Sequence, residues 1–561
     1  MTGTVPLVAD WLDRLDEHVV GQPTAPAMTY ATIDDGALPT YDDVTFAELG
    51  AWSDALAASF AADGITAGTR VIVLVDPGPE LYAILLGLFK AGAVPVVIDP
   101  GMGLRPMLRC LEAARAEAFI GVPKAQAVRV LFRRSFREVR ATVTVGRRWF
   151  WGGRTLDEAG RRPVGPVPEP PSGDPDRLLL VAFTTGSTGP AKAVQLTEGN
   201  LAAMLAATRA LTQAGPGETA LVTLPMFGLL YLLMGTRIVL PPLIPSKVGA
   251  TDPLHVVNAI NRFDVSTLFA SPAVLGPLVD HARTHHPQLP SVRRVFSGGA
   301  PVTTEIVAGL RGVLPDKAEV FAGYGATEAI PMASIGSREL LTRLTGRARS
   351  GEGVCLGFPV DGLDVRIAPI VDGPIRDWES LPDEGDGVGE IVVAGPQVST
   401  AYFWPAAANL DGKIPDGDRT WHRTGDLGRI DDDGRLWFVG RKSQRVVTPT
   451  GTLHSVAIEQ IFTGMDGLAR TALAGVGEPG AQIPVLCLEL QPGANEREVL
   501  AAVRQRARSN PMTADITEFM VHPGFPVDIR HNAKIRREEL SEWAGEHLSR
   551  RSAAFVGGGS R

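Results

Sequence analysis

Cysteine is scarce. The 561 residues include three, Cys110, Cys355 and Cys487, far apart and in no metal-ligand spacing. That excludes a disulfide framework and a thiolate metal site, and suits a reducing, cytoplasmic compartment. Also missing is a basic N-terminal patch followed by an apolar run, so Met1–Ala9 does not read as a secretion signal. The most apolar stretch, Leu221–Ile244, is interrupted by Pro225, Gly228, Gly235, Arg237, Pro241 and Pro242. It therefore reads as buried strand and pocket lining, not as an integral membrane span. Nor is there an excess of cations: 54 Lys and Arg stand against 62 Asp and Glu, a net charge of −8. This balance argues against nucleic acid or an anionic membrane as a partner of the chain as a whole, leaving room only for a local basic patch.

What is abundant is glycine (62), proline (44) and hydrophobic residues (45%), the mix of a chain with many turns and a sizeable core. Helical patterns at Thr45–Gly64 and Glu80–Ala91 alternate with short strands at Val71–Val75, Val94–Ile98, Ala118–Gly121 and Leu178–Thr184. Further strands are expected at Ala220–Leu224, Thr267–Ala270 and Val292–Phe296. This alternation predicts α/β layers with parallel sheet. After Gly351 the texture changes to short strands and turns, among them Gly389–Ala394 and Gly425–Val439 with its Asp431–Gly434 turn. Beyond Arg441 the pattern is that of a small α+β domain.

The strand Leu178–Phe183 runs into Thr184-Thr185-Gly186-Ser187-Thr188-Gly189-Pro190-Ala191-Lys192-Ala193. Glycines and small hydroxyl residues leave backbone N–H groups free to close around phosphate oxygens. Thr184, Thr185, Ser187 and Thr188 add hydroxyl donors, and Lys192 adds a positive charge. It is not a Walker loop, because Lys192 sits three residues past Gly189 and no Lys-Ser/Thr pair follows that glycine. By itself the segment also reads as a surface turn.

Other motifs follow in order: Ser297-Gly298-Gly299-Ala300-Pro301, Gly323-Tyr324-Gly325-Ala326-Thr327-Glu328, Gly389-Glu390-Ile391, Thr424-Gly425-Asp426, Gly440-Arg441 and Asn532-Ala533-Lys534-Ile535. Taken singly, Glu328 reads better as a solvated acid at a helix start and Lys534 as a surface lysine in a charged tail. Asp426 reads as a turn residue and Tyr324 as a half-buried core aromatic. Together they resemble the adenylate-forming superfamily across nearly the whole chain. Ala191 and Ala193 depart from that family's usual proline and glycine.

The resemblance implies an ATP- and Mg2+-dependent ligase that activates a carboxylic acid as its acyl-adenylate. It implies a large N-terminal domain, residues 1–441, of two layered αβ sheets and a β-rich subdomain, with a small mobile α+β domain, 442–561. Gly299, Ala300 and Pro301 would flank adenine and the acyl pocket. Tyr324, between Gly323 and Gly325, would stack on adenine, Thr327 would contact the α-phosphate, and Glu328 would hold Mg2+. Asp426 would bind the ribose hydroxyls, Arg441 would precede the interdomain hinge, and Lys534 would be the adenylation lysine. Such fixed positive groups would neutralise charge building on the phosphoryl oxygens.

The hinge departs from the pattern of thiol-using members. Ser443 stands at the acidic position, Val447 at the basic one, Thr452 at the arginine and Ala457 at the first glutamate, and Gly228 replaces a frequent histidine. With Val96–Gly101, Phe119–Pro123, Val143–Gly146, Gly440–Ser443 and Asp528–Lys534, these departures resemble the olefin β-lactone synthetase branch. That branch closes a 3-hydroxy acid onto its own activated carboxyl, an internal attack with a high effective concentration. The implied partner is a small hydroxy acid, with other enzymes of the same pathway as further candidates. The rival expectations are a coenzyme A or carrier-protein ligase and a non-catalytic nucleotide-binding protein. Met226–Met234, with Phe227 and Tyr231, reads equally as acyl-pocket lining and as core.

Overall fold

The computed structural model describes residues 8–32, 38–160, 165–169, 173–184, 191–243, 248–381, 387–527 and 535–557. Two large sheets organise it. The first has eight strands, in the order Tyr402–Trp404, Lys192–Thr197, Leu178–Thr184, Val94–Ile98, Arg70–Leu74, Ala118–Gly121, Ala141–Thr144 and Arg154–Thr155. It is parallel from Leu178–Thr184 to its far edge, and antiparallel at the Tyr402–Trp404 end. The second has fourteen strands and begins as a parallel αβ sheet through Glu319–Ala326, Arg294–Ser297, Thr267–Phe269, Thr219–Val222, Arg237–Leu240 and Pro26–Thr32.

Alternation along the strands sorts side chains into layers. Val71 and Val73 of the first sheet and Ala220 and Val222 of the second enter one shared core with Leu56, Leu85, Leu205 and Leu232. Those four leucines come from the helices Phe46–Ala62, Pro79–Lys90, Glu198–Thr212 and Pro225–Leu233, which fill the space between the sheets. Ile72 and Phe119 point the other way, onto Met107 and Cys110. Leu221 likewise turns to the outer face, toward Val256, Leu275 and Val307. Each fully buried aliphatic side chain contributes roughly 1.5–3 kcal/mol. The first of the central helices starts where the sequence says it should. Thr45 accepts from the Glu48 N–H at 3.2 Å, and Glu48 Oε2 accepts from the Thr45 N–H at 2.8 Å.

The fold bears out the α/β expectation, with two differences. The β-rich part is not a separate sheet but continues the second one: Ala329–Gly336 pairs with Val354–Pro359, which pairs with Leu436–Arg441. At the crossing Gly357 adopts φ +84, and a β-carbon there would collide with the Ser334 carbonyl oxygen, so only glycine fits. The stretch from Leu221 holds a helix, Pro225–Leu233, between two strands. Pro225 sits in its first turn, where a missing N–H costs nothing. A helix apolar all round looks like strand to any periodicity argument.

Near the C-terminus, Leu468–Val476, Ile483–Leu490 and Glu518–Val521 form a three-stranded sheet. Leu473, Leu486 and Leu488 pack on one face with Val499 and Val503, and Ala472, Val485 and Cys487 on the other with Leu540. Among the described residues no helix is long and apolar enough to cross a membrane. All three cysteines are buried and unpaired. Burial pushes the Cys487 thiol up to about 12, so it stays protonated and inert.

Candidate active site

Three strands meet at Asp426, two of them successive in the chain and the third, Glu319–Ala326, far from both in sequence. It stands opposite Arg441 in the ladder between Arg419–Ile430 and Leu436–Arg441. The Tyr324 hydroxyl donates to Asp426 Oδ2 at 2.7 Å, and Arg441 Nε reaches Oδ1 at 3.0 Å. Arg441 Nη1 also donates to the Thr424 carbonyl at 3.1 Å, fixing the guanidinium. Asp426 is only 7% exposed, so these charged and hydroxyl donors are what make its burial tolerable. Burial first, and then the Asp426 charge, hold the Tyr324 phenol well above its usual value, and it remains a donor at neutral pH. Beside it, a β-carbon on Gly298 would come within 3.1 Å of the Gly323 carbonyl oxygen. Glycine there lets the Ser297–Pro301 turn lie against Gly323 and Tyr324. Gly299 has φ +81, and it and Pro301 are exposed while Ala300 is half-buried.

A second cluster forms where the two sheets touch. Ala326 pairs with Ala329, so Thr327 and Glu328 form the tip of a tight hairpin, with Gly325 exposed just ahead of it. Glu328 is therefore not a solvated acid at a helix start. It is 9% exposed, its carbonyl accepts from the Ser399 N–H at 2.8 Å, and its Oε1 accepts from the Tyr402 hydroxyl at 2.8 Å. Tyr402 belongs to the edge of the first sheet, paired with Val194, whereas Glu328 belongs to the second. Two ammonium groups, Lys192 Nζ and Lys413 Nζ, each lie 5.1 Å from the centroid of the Tyr402 ring. Lys413 also donates to the Ser399 carbonyl.

Burial pulls Lys413 down to about 7, the Lys192 charge adds to that, and Glu328 opposes it. Across the ladder from Lys413 stands His422, whose Nδ1 lies 3.1 Å from the Gly412 carbonyl. Burial, then the Lys413 charge, hold His422 well below its usual value, so it is neutral.

Thr184 and Lys192 face each other across the ladder, Thr184 Oγ1 donating to the Lys192 carbonyl at 3.4 Å, so both ends of the glycine-rich loop are held together. Thr185, Gly186, Ser187, Thr188, Gly189 and Lys534 lie outside the described residues, as does His531. The structure thus brings Tyr324, Asp426 and Arg441 into one contact network, and Lys192 and Glu328 into another. Sequence reasoning missed Tyr402, Lys413 and His422. The signal available was a lysine and a histidine on facing strands whose neighbours, Ile414 and Trp421, are core residues.

Among the described residues no group of three or more His, Cys, Asp or Glu could hold a metal. The second oxygen of Glu328 takes no hydrogen bond from a described residue. A single buried carboxylate with one oxygen that no described residue engages fits Mg2+ arriving with a nucleotide, since that ion keeps phosphate and water ligands and needs one or two carboxylates.

Of the acyl-pocket candidates, Tyr231 is fully buried core, while Met226 and Phe227 are half-buried; Phe227 stacks on Phe269 at 4.0 Å. The space above Gly228 is taken by Tyr82, whose hydroxyl donates to the Pro225 carbonyl at 3.0 Å. A β-carbon on Gly228 would collide with that hydroxyl oxygen, so a histidine cannot stand there while Tyr82 does. In the segment expected to be the hinge, Lys442 Nζ pairs with Glu390 at 2.9 Å beside Ser443, and Ala457 is 1% exposed.

A family model described as AMP-binding enzyme matches residues 15–403. The chain is similar to the olefin β-lactone synthetase of Stenotrophomonas maltophilia (strain K279a), 42% identical over 519 residues, covering 91% of this chain and 93% of that protein. It is equally similar to the olefin β-lactone synthetase of Xanthomonas campestris pv. campestris, at 42% identity over 91% of this chain and 92% of the relative. Among solved structures, o-succinylbenzoate coenzyme A synthetase from Bacillus subtilis in complex with ATP and magnesium ion shares the fold. Its TM-score is 0.70 at 21% identity, covering 94% of this chain and 98% of that one.

Proposed function

Because the chain belongs to the AMP-binding enzyme family, we propose that it is an ATP-dependent β-lactone synthetase acting on a 3-hydroxy acid in the cytoplasm. The observation that carries this reading is the likeness to olefin β-lactone synthetases along nine-tenths of the chain. The filled space over Gly228 and the missing hinge acid agree with a reaction that admits no thiol.

The acid's carboxylate attacks the α-phosphorus of ATP, the bond to the β-phosphate bridge breaks, and pyrophosphate leaves. The 3-hydroxyl oxygen then attacks the acyl carbon, the acyl–phosphate C–O bond breaks, AMP departs and the hydroxyl proton is lost. Asp426, with Tyr324 and Arg441 fixing it, retains lone pairs for the ribose hydroxyls. Thr327 and the loop hydroxyls from Thr184 to Thr188 donate to phosphate oxygens, with Lys192 at the loop's far end. Mg2+, held through the free oxygen of Glu328, would supply positive charge to the phosphates. Lys534 brings the ammonium that meets charge developing at the α-phosphoryl group. The small domain, residues 442–561, moves to deliver it.

The test supplies a panel of 3-hydroxy acids with ATP and Mg2+ and no thiol. A β-lactone, AMP and pyrophosphate in equal amounts are expected. Turnover that needs coenzyme A overturns the lactone reading, and absence of AMP with every acid overturns catalysis altogether.

A further inference from the structure

The edge of the first sheet farthest from the phosphate strand carries a feature that adenylation does not use. Between Lys124 and Arg154 the chain holds nine lysines and arginines and one carboxylate, Glu138, although carboxylates outnumber cations overall. Arg129, Arg133 and Arg137 recur at every fourth position, along the helix Pro123–Leu131 and the 3-10 turn that follows it. With Phe150 and Trp151 they line a cleft of about 420 Å3. Arg133, Arg134 and Arg147 make no ion pair among the described residues.

The aromatic side of the cleft is exposed yet rigidly mounted. Phe150 is 79% and Trp149 62% exposed, though large apolar rings are normally withdrawn from water. Trp149 stacks on Trp151 at 5.6 Å, and Phe150 meets Trp151 edge-on at 5.4 Å. Trp151 is anchored in turn: its Nε1 donates to Thr144 Oγ1 at 3.1 Å, and its carbonyl accepts from Arg129 Nη2 at 3.1 Å. The strands Ala118–Gly121, Ala141–Thr144 and Arg154–Thr155 carry this face, and Arg70–Leu74 and Val94–Ile98 lie between them and the phosphate strand, which is roughly 20 Å from Ala141–Thr144 at strand spacing.

We propose that this arginine–aromatic face docks the chain on an anionic phospholipid bilayer, with lipid phosphates in the arginine cleft and Trp149 and Phe150 at the headgroup–acyl boundary. Guanidinium groups match phosphate oxygens in paired hydrogen bonds, and indole and phenyl rings favour the interfacial layer. The overall charge of −8 does not oppose this, because salt screens charges beyond about 8 Å and leaves the local patch to decide. Single-stranded nucleic acid also uses arginine and aromatic rings, but there the rings are spaced to receive bases. Here Trp149 and Trp151 stack on each other and leave no gap between them. The net charge of the chain left room for a local basic patch, and this face is one.

The full-length protein is sedimented with vesicles of phosphatidylcholine alone and of phosphatidylcholine with phosphatidylglycerol. Binding is expected only with phosphatidylglycerol, and it should fall as salt rises. A cation near such a surface changes partitioning about fivefold, so Arg133→Glu with Arg137→Glu should weaken it more than about tenfold. Trp149→Ser with Phe150→Ser should weaken it as well, and both variants should release AMP normally in vesicle-free solution. In the unaltered protein, brominated phosphatidylglycerol should quench tryptophan fluorescence, less so in Trp149→Phe, a readout that does not depend on the multiple variants folding. No sedimentation with anionic vesicles overturns the proposal. So does binding indifferent to the aromatic pair, or tighter binding to a single-stranded oligonucleotide than to vesicles.

Discussion

Replacing Tyr402 by phenylalanine removes one atom from the centre of the candidate site. The ring stays, with its face toward the Lys192 and Lys413 ammonium groups at 5.1 Å, so the cation–π contacts survive. What disappears is the 2.8 Å hydrogen bond to Glu328 Oε1, on a carboxylate that is 9% exposed. A hydrogen bond to a charged group contributes about 1.5–3 kcal/mol, and the exposed alternative, water, has little access here. The variant should therefore lose about 2 kcal/mol of stability, seen as a lower melting temperature without ligands. The more telling effect is on metal use, because Tyr402 would no longer hold the carboxylate proposed as the Mg2+ ligand. Outer-shell partners of this kind typically change metal affinity by 10–100-fold. Titrating Mg2+ while following pyrophosphate release should show half-saturation at least about tenfold higher, with weaker Mg2+-dependent ATP binding in calorimetry. A variant that melts lower but keeps the parental Mg2+ dependence in both assays would refute the positioning role of Tyr402, or that of Glu328 as the ligand.

Lys534→Ala should slow AMP formation by about 10^2–10^3-fold, while the affinities for ATP and the acid change little; a variant with normal AMP release removes Lys534 from its proposed role. Gly228→Ala places a methyl against the Tyr82 hydroxyl in a fully buried position and should cost about 1–3 kcal/mol. Adding Tyr82→Phe takes away the colliding oxygen, so the melting temperature of the double variant should recover part of the loss; no recovery would show that the strain lies elsewhere. His422 is held neutral in the folded chain by burial and by Lys413, whereas an unfolded histidine takes up a proton as pH falls through about 6.5. The unfolded state then binds more protons, so the histidine costs stability below that pH, by about 1.4 kcal/mol per unit. His422→Phe should gain on the parent protein in melting temperature from pH 7 to pH 5.5, and a gap independent of pH would contradict the assignment.

What the sequence disclosed were devices carried by a few consecutive residues. The Thr45–Glu48 capping box, the Asp431–Gly434 turn and the glycines at 298 and 299 each act within a few residues of chain, so their spacing alone reports them. The helix at Pro225 escaped because complete burial erases the polar face that would have revealed its period. The polar network escaped for a different reason. Tyr324 and Asp426 are 102 residues apart, and Tyr402 and Glu328 are 74 apart, so no local pattern links either pair.

The topology makes those links. Ala326 pairs with Ala329 and so sets Glu328 at a hairpin tip in the second sheet, while Val194 pairs with Tyr402 and sets it on the edge of the first. The hydroxyl–carboxylate contact is then a bond between sheets, placed beside the strand ends that hold the glycine-rich loop. Behind it, burial depresses Lys413 to about 7, and the Glu328 carboxylate opposes that depression. On that argument Glu328→Gln would leave Lys413 without its counter-charge and drive its ammonium still lower. The two lesions, loss of the proposed metal ligand and a buried base without its counter-charge, should therefore appear together rather than separately.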